Sequence, residues 1–114
     1  MTEPDWYCAE VLRGTVPNLE IVHDSAEVLA FRPPRLGFGV DHVILVPRQH
    51  VPSLLELELS DASAVLSGLQ AVAAELVDLH GGCQVLTTLG NEQRNKHLHF
   101  HIAVGEGVAR FVNR

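Results

Sequence analysis

From His97 to Ile102 the chain reads His-Leu-His-Phe-His-Ile, a strict alternation of imidazole and apolar side chains, and Ala103 and Val104 continue the apolar run. Side chains on a β-strand alternate faces with a period of two, so His97, His99 and His101 project one way and Leu98, Phe100, Ile102 and Val104 the other. A helix would scatter them. Same-face neighbours on a strand lie about 6.5 to 7 Å apart, close enough for three imidazoles to surround one phosphoryl-sized group. Histidine has little strand preference, so three in five positions point to chemistry rather than to a solvated surface. Metal binding stays open on the residues alone, because His-x-His on a strand also offers two ring nitrogens to zinc or iron.

The rest of the chain frames that strand as part of an α+β domain. Cys8 to Arg13 reads as a short helix stopped by Gly14 and Pro17, and Leu19 to His23 with Val28 to Phe31 as a hairpin across Asp24-Ser25. Pro33-Pro34 and Gly37-Phe38-Gly39 form a loop before a continuous buried strand, His42 to Val46. Apolar residues from Ala62 to Val77 recur at three and four, which predicts a long helix over 60–80 with Ser60 as N-cap and Gly81-Gly82 as stop. Cys83 to Leu89 follows as a strand, 90–96 as a loop, and the histidine strand closes the domain. The expectation is one domain over 1–114, with its core at about 5–104, an antiparallel sheet of about five strands, one long helix and one short one.

Two further segments join the histidines in a recognisable order. Asp41-His42-Val43-Ile44-Leu45-Val46-Pro47-Arg48-Gln49-His50 is a strand ending in Val-Pro-x-x-His, and Trp6 to Pro17 is a helix and turn. With His97-Leu98-His99-Phe100-His101-Ile102-Ala103 they resemble the histidine-triad (HIT) superfamily of nucleotide hydrolases and transferases, the Hint-like bacterial branch in particular. The resemblance implies a HIT-like fold. It also implies that His99 attacks the α-phosphorus of a nucleotide and that water then cleaves the nucleotidyl-histidine, with no metal needed for the chemistry. His101 and His42 would face the phosphate, His97 would orient the site, and Gln93, Thr88, Phe31 and Arg94 would lie along the substrate. The Hint-like asparagine is Thr88 here, the leaving-group serine is Arg94, and no carboxylate follows Phe31 to hold the ribose. Some bacterial relatives bind structural zinc through Cys-x-x-Cys and two histidines; Asp5, Cys8, His50 and His97 are the matching positions.

Fourteen acidic against eight basic residues give a net charge of -6, which argues against a general nucleic-acid binder. A mononucleotide needs only local positive character, which Arg48, Arg94, Lys96 and the histidines could supply. The N-terminal residues lack the basic and apolar regions of a signal peptide, no apolar run reaches a membrane span, and two cysteines make no disulfide scaffold. With these features, the resemblance implies a cytoplasmic hydrolase of purine nucleotide phosphoramidates, with no nucleic acid or membrane partner, and by family analogy a homodimer. The alternatives are a dinucleoside polyphosphate hydrolase, a nucleotide-binding module without turnover, and a metalloprotein with the triad as ligands. Glu106 stands at a spacing that suits the last, but too few residues follow His101 for a cupin-like barrel. His23 and His80 match no motif and are assigned no role.

Overall fold

The computed structural model describes residues 5–34 and 40–106. Within them, β1 (Glu20–Asp24), β2 (Val28–Arg32), β3 (Asp41–Pro47), β4 (Gln84–Leu86) and β5 (Phe100–Val104) form one antiparallel sheet in the order β1-β2-β3-β5-β4. The long helix, α1 (Leu59–His80), lies on one face of the sheet, so the chain has the α+β architecture that the pattern predicts. Part of the expected proline-glycine loop, 35–39, lies outside the described residues.

Each face of the sheet is covered, which is why all of β3 is buried. On the helix face, Leu45, Leu98 and Ile102 pack with Val72 and Leu76 of α1. These five side chains are essentially unexposed, and fully burying each contributes about 1.5–3 kcal/mol, enough to fix the helix to the sheet. Gly68 marks the closest approach. A Cβ there would stand 2.8 Å from Val28 Cγ2 and 3.2 Å from Leu45 Cδ1. On the other face, the first turn of the chain places Tyr7 and Val11 over Phe31, Ile44 and Val46.

Several boundaries differ from the sequence reading, each for a local reason. The first helix is a single π-helical turn, Tyr7–Val11, in which Leu12 N–H reaches back to Tyr7 O. Asp5 caps it by accepting from Cys8 N–H at 3.0 Å. Ser60 sits inside the first turn of α1 and is no cap; Glu58, extended, precedes the helix without a side-chain cap. Gly81 ends α1 as expected, at φ 84°, where a residue without Cβ is unstrained. β4 is three residues long because only Gln84, Val85 and Leu86 pair with β5. β5 begins at Phe100 because the amides before it bond elsewhere: His97 N–H to Asn95 Oδ1 and Leu98 N–H to Val51 O.

A polar clamp closes the helix face where α1 ends. Asp41 accepts from Arg32 Nε at 2.9 Å, from Arg32 Nη2 at 3.2 Å, from the His80 ring at 2.9 Å and from His42 N–H at 2.8 Å. The Arg32 guanidinium holds the Asp41 carboxyl down at about 2 against the opposing effect of burial, with His80 adding to the pull. His80, read as exposed and without a role, thus ties α1 to β3.

Candidate active site

The histidine face is built by β3 and β5. In their register His42 opposes Ala103 and Ile44 opposes His101, so His42 and His101 are diagonal neighbours on one face. Their rings meet, His42 Nε2 to His101 Nδ1 at 2.8 Å, with centroids 5.0 Å apart. His99 stands edge-on to His101 at 5.1 Å between centroids. The expected alternation holds: Leu98, Phe100 and Ile102 enter the helix-side core while the histidines take the other face.

His99 is set by two backbone contacts. Its Nδ1–H donates to His97 O at 2.8 Å, which leaves Nε2 as the lone-pair nitrogen, and its own carbonyl accepts from Thr87 Oγ1 at 2.7 Å. No buried side-chain nitrogen or oxygen lacks a partner among the described residues, so unpartnered Nε2 is open to solvent. Burial depresses the proton affinity of all three facing histidines, to about 4 for His42 and about 3 for His101 and in the same direction for His99. They are neutral near pH 7. Neutral imidazole is the form that can attack phosphorus or donate one hydrogen bond.

His97 departs from the expected picture of three imidazoles around one group. It has no exposed surface and lies in the bend before β5, where Nε2–H donates to Pro47 O at 2.8 Å. Its Nδ1 points into the first turn of the chain, 2.9 Å from Asp5 Oδ2 and 3.3 Å from Cys8 Sγ. His50 Nδ1 lies 2.6 Å from the same Asp5 oxygen and 3.8 Å from Cys8 Sγ. Ligand-type atoms of Asp5, Cys8, His50 and His97 all fall within 4.8 Å of one another. Four positions separated by up to 92 residues therefore converge as the resemblance implies. Burial would raise the Asp5 carboxyl, but the Cys8 amide and the His97 ring outweigh it and hold the group below the ordinary carboxylate range. Burial and the Asp5 charge push the Cys8 thiol up to about 11.

The remaining assignments fare unevenly. Gln93 is buried beside the triad segment, but its Nε2 donates to Pro52 O at 2.5 Å and so braces the loop. Thr88 is half-buried just beyond β4, and it is its neighbour Thr87 that bonds the triad backbone. Arg94 is exposed. Phe31 has no exposed surface and packs behind Trp6 and Tyr7. Arg48 is engaged by Asp24 and by Ser25 O at the hairpin, not by the triad. Two residues absent from the sequence reading join the site: Thr87, which no local signal marks, and Tyr7, whose ring centroid lies 5.1 Å from that of His99.

Five antiparallel strands with one crossing helix, and histidines from β3 and the β5 segment on the opposite face, define a histidine-triad fold. No protein-family model matches the sequence. Among solved structures, a histidine triad protein from Clostridium difficile is 26% identical, with TM-score 0.71 over 93% of this chain and 95% of that one. A HIT family hydrolase from Clostridium thermocellum is 23% identical, with TM-score 0.74 over 92% and 93%. A hypothetical histidine triad nucleotide-binding protein from Sulfolobus tokodaii is 20% identical, with TM-score 0.75 over 87% and 67%. With these structures and its own triad, the chain belongs to the histidine-triad superfamily.

Proposed function

We propose that the protein is a nucleotidyl hydrolase of the Hint-like type, acting on nucleotide phosphoramidates through a covalent intermediate on His99. The observation that carries this reading is the His99 ring: Nδ1–H is committed to His97 O, while Nε2 is unprotonated, unpartnered and open. Nε2 forms a bond to the α-phosphorus as the P–N bond to the leaving amine breaks, and the amine takes up a proton from solvent. Water then attacks the same phosphorus and returns a proton to solvent as the P–Nε2 bond breaks, and the mononucleotide leaves. If His42 Nε2–H donates to His101 Nδ1, the neutral His101 carries its proton on Nε2, a donor for a phosphate oxygen. Neutral donors around the phosphate stabilise the charge that develops in transfer. The same attack with a phosphate leaving group would hydrolyse dinucleoside polyphosphates. The relatives described as a hydrolase and as a nucleotide-binding protein support the general class.

Zinc suits the cluster of Asp5, Cys8, His50 and His97. With Nε2–H donated to Pro47 O, a neutral His97 turns its Nδ1 lone pair on the Asp5 carboxylate, an arrangement that needs a proton or a cation between them. One carboxylate, one thiolate and two imidazoles are a tetrahedral zinc donor set, and the ion would supply structural cross-linking rather than chemistry. A twofold homodimer also fits, since α1 leaves Leu59, Leu66, Val77 and Leu79 exposed.

The test is AMP release from adenosine 5′-phosphoramidate, followed by phosphorus NMR for the parent and for His99→Ala. Release by the parent alone is expected. Equal release by His99→Ala refutes the covalent route, and AMP binding without release by the parent favours a binding module.

A further inference from the structure

Tyr7 is the only tyrosine in the chain, and it stands on the histidine face. Its ring is packed between Trp6 and Phe31, at centroid distances of 5.4 and 6.2 Å, and the rings of His97 and His99, at 5.7 and 5.1 Å. The residue is only 5% exposed. Its hydroxyl nevertheless makes no hydrogen bond among the described residues, and it is not sealed from solvent, since no buried side-chain oxygen there lacks a partner. A buried tyrosine normally satisfies its O–H within the protein, because desolvating an unpaired hydroxyl is unfavourable.

The carboxylates of Asp5 and Asp41 are already committed. Asp5 is bonded to Cys8 N–H, His50 and His97, and Asp41 is held on the opposite face by Arg32 and His80. Two polar atoms stay open on neighbouring rings, Tyr7 Oη and His99 Nε2. Those rings are neighbours, with centroids 5.1 Å apart.

We infer that the Tyr7 hydroxyl donates a hydrogen bond to a non-bridging oxygen of the phosphate that His99 addresses, which makes Tyr7 a substrate-contacting residue of this site. The inference rests on the proposed nucleotide chemistry and adds to it a specific neutral donor. The hydroxyl replaces one solvent contact of the phosphate. A hydrogen bond to a charged group is worth enough that its loss weakens binding by about tenfold to a hundredfold.

The experiment measures AMP affinity by calorimetry and turnover of adenosine 5′-phosphoramidate for the parent, Tyr7→Phe and Tyr7→Leu. Tyr7→Phe keeps the ring packing and removes only the oxygen, so it should fold like the parent, bind AMP about tenfold or more weakly, and lose turnover in proportion. If Tyr7→Phe matches the parent within about twofold while Tyr7→Leu is impaired, the residue is merely packing and the inference is overturned. Weaker AMP binding by Tyr7→Phe, with no turnover by the parent, supports the contact and sinks the hydrolase reading. Turnover by the parent that Tyr7→Phe retains in full does the reverse, and a parent that neither binds AMP nor turns over refutes both.

Discussion

Replacing Gly68 by alanine sets two effects of opposite sign against each other, and the structure decides between them. In an exposed helix interior the change favours folding by up to about 1 kcal/mol, because glycine has the greater backbone freedom to lose. Here the new methyl would stand 2.8 Å from Val28 Cγ2 and 3.2 Å from Leu45 Cδ1. Val28 is β-branched and fully buried, so it cannot rotate away cheaply, and either α1 or β2 must shift. Overpacking of this kind costs about 1–3 kcal/mol. The net expectation is a loss of about 1 kcal/mol, read as a drop of several degrees in Tm for a domain of this size. Thermal and urea unfolding of Gly68→Ala, beside Ser67→Ala on the exposed side of the same turn, measures it. A Gly68→Ala protein more stable than the parent would refute the argument, for it would mean that α1 and the sheet do not touch at this point. Since α1 covers the face opposite the histidines, nucleotide binding should be little changed.

Lowering the pH tests the histidine pair. His42 and His101 have proton affinities depressed by burial, to about 4 and about 3 from an ordinary value near 6.5, so the unfolded chain binds more protons between those values. Stability should therefore be full above pH 6.5 and fall by about 1.4 kcal/mol per pH unit for each group as pH drops towards 4; a flat urea midpoint from pH 7 to 5 would refute the burial of these rings. Metal analysis after mild purification should find about one zinc per chain, lost in Cys8→Ala together with several degrees of Tm; an undiminished metal content in that variant would place the ion elsewhere. Asp41→Asn should destabilise by about 2 kcal/mol or more, because Arg32 and His80 lose the charge that both address. Chemical denaturation checks this last, and a change under about 0.5 kcal/mol would show that the clamp is solvated.

The alternation from His97 to Ile102 and the apolar run of β3 made the sheet and its two faces legible, because period-two burial is written directly in residue order. The triad and its position followed from the same pattern. What remained hidden depends on contacts between distant segments. The first half of the triad leaves the ladder because Asn95 and Val51 take its amides, which nothing between 97 and 104 records. No motif marks Tyr7, and only the fold shows that the core it joins adjoins His99. His80 lies at the end of a helix in sequence, and its partner Asp41 lies 39 residues earlier. Ser60 looked like a cap by residue type, yet the helix starts one residue sooner, where no side chain serves its free amides.

His97 joins two distant parts of the chain to its neighbour: residue 5 through its ring, Pro47 through the opposite ring nitrogen, and His99 through its own carbonyl. The alignment of His99 is thus tied to an N-terminal segment that contributes no strand to the sheet. A chain altered so that Asp5 and Cys8 cannot reach His97 should keep the strands and α1 while His99 loses registration, so the proposed chemistry would report on the docking of this segment as well as on the sheet.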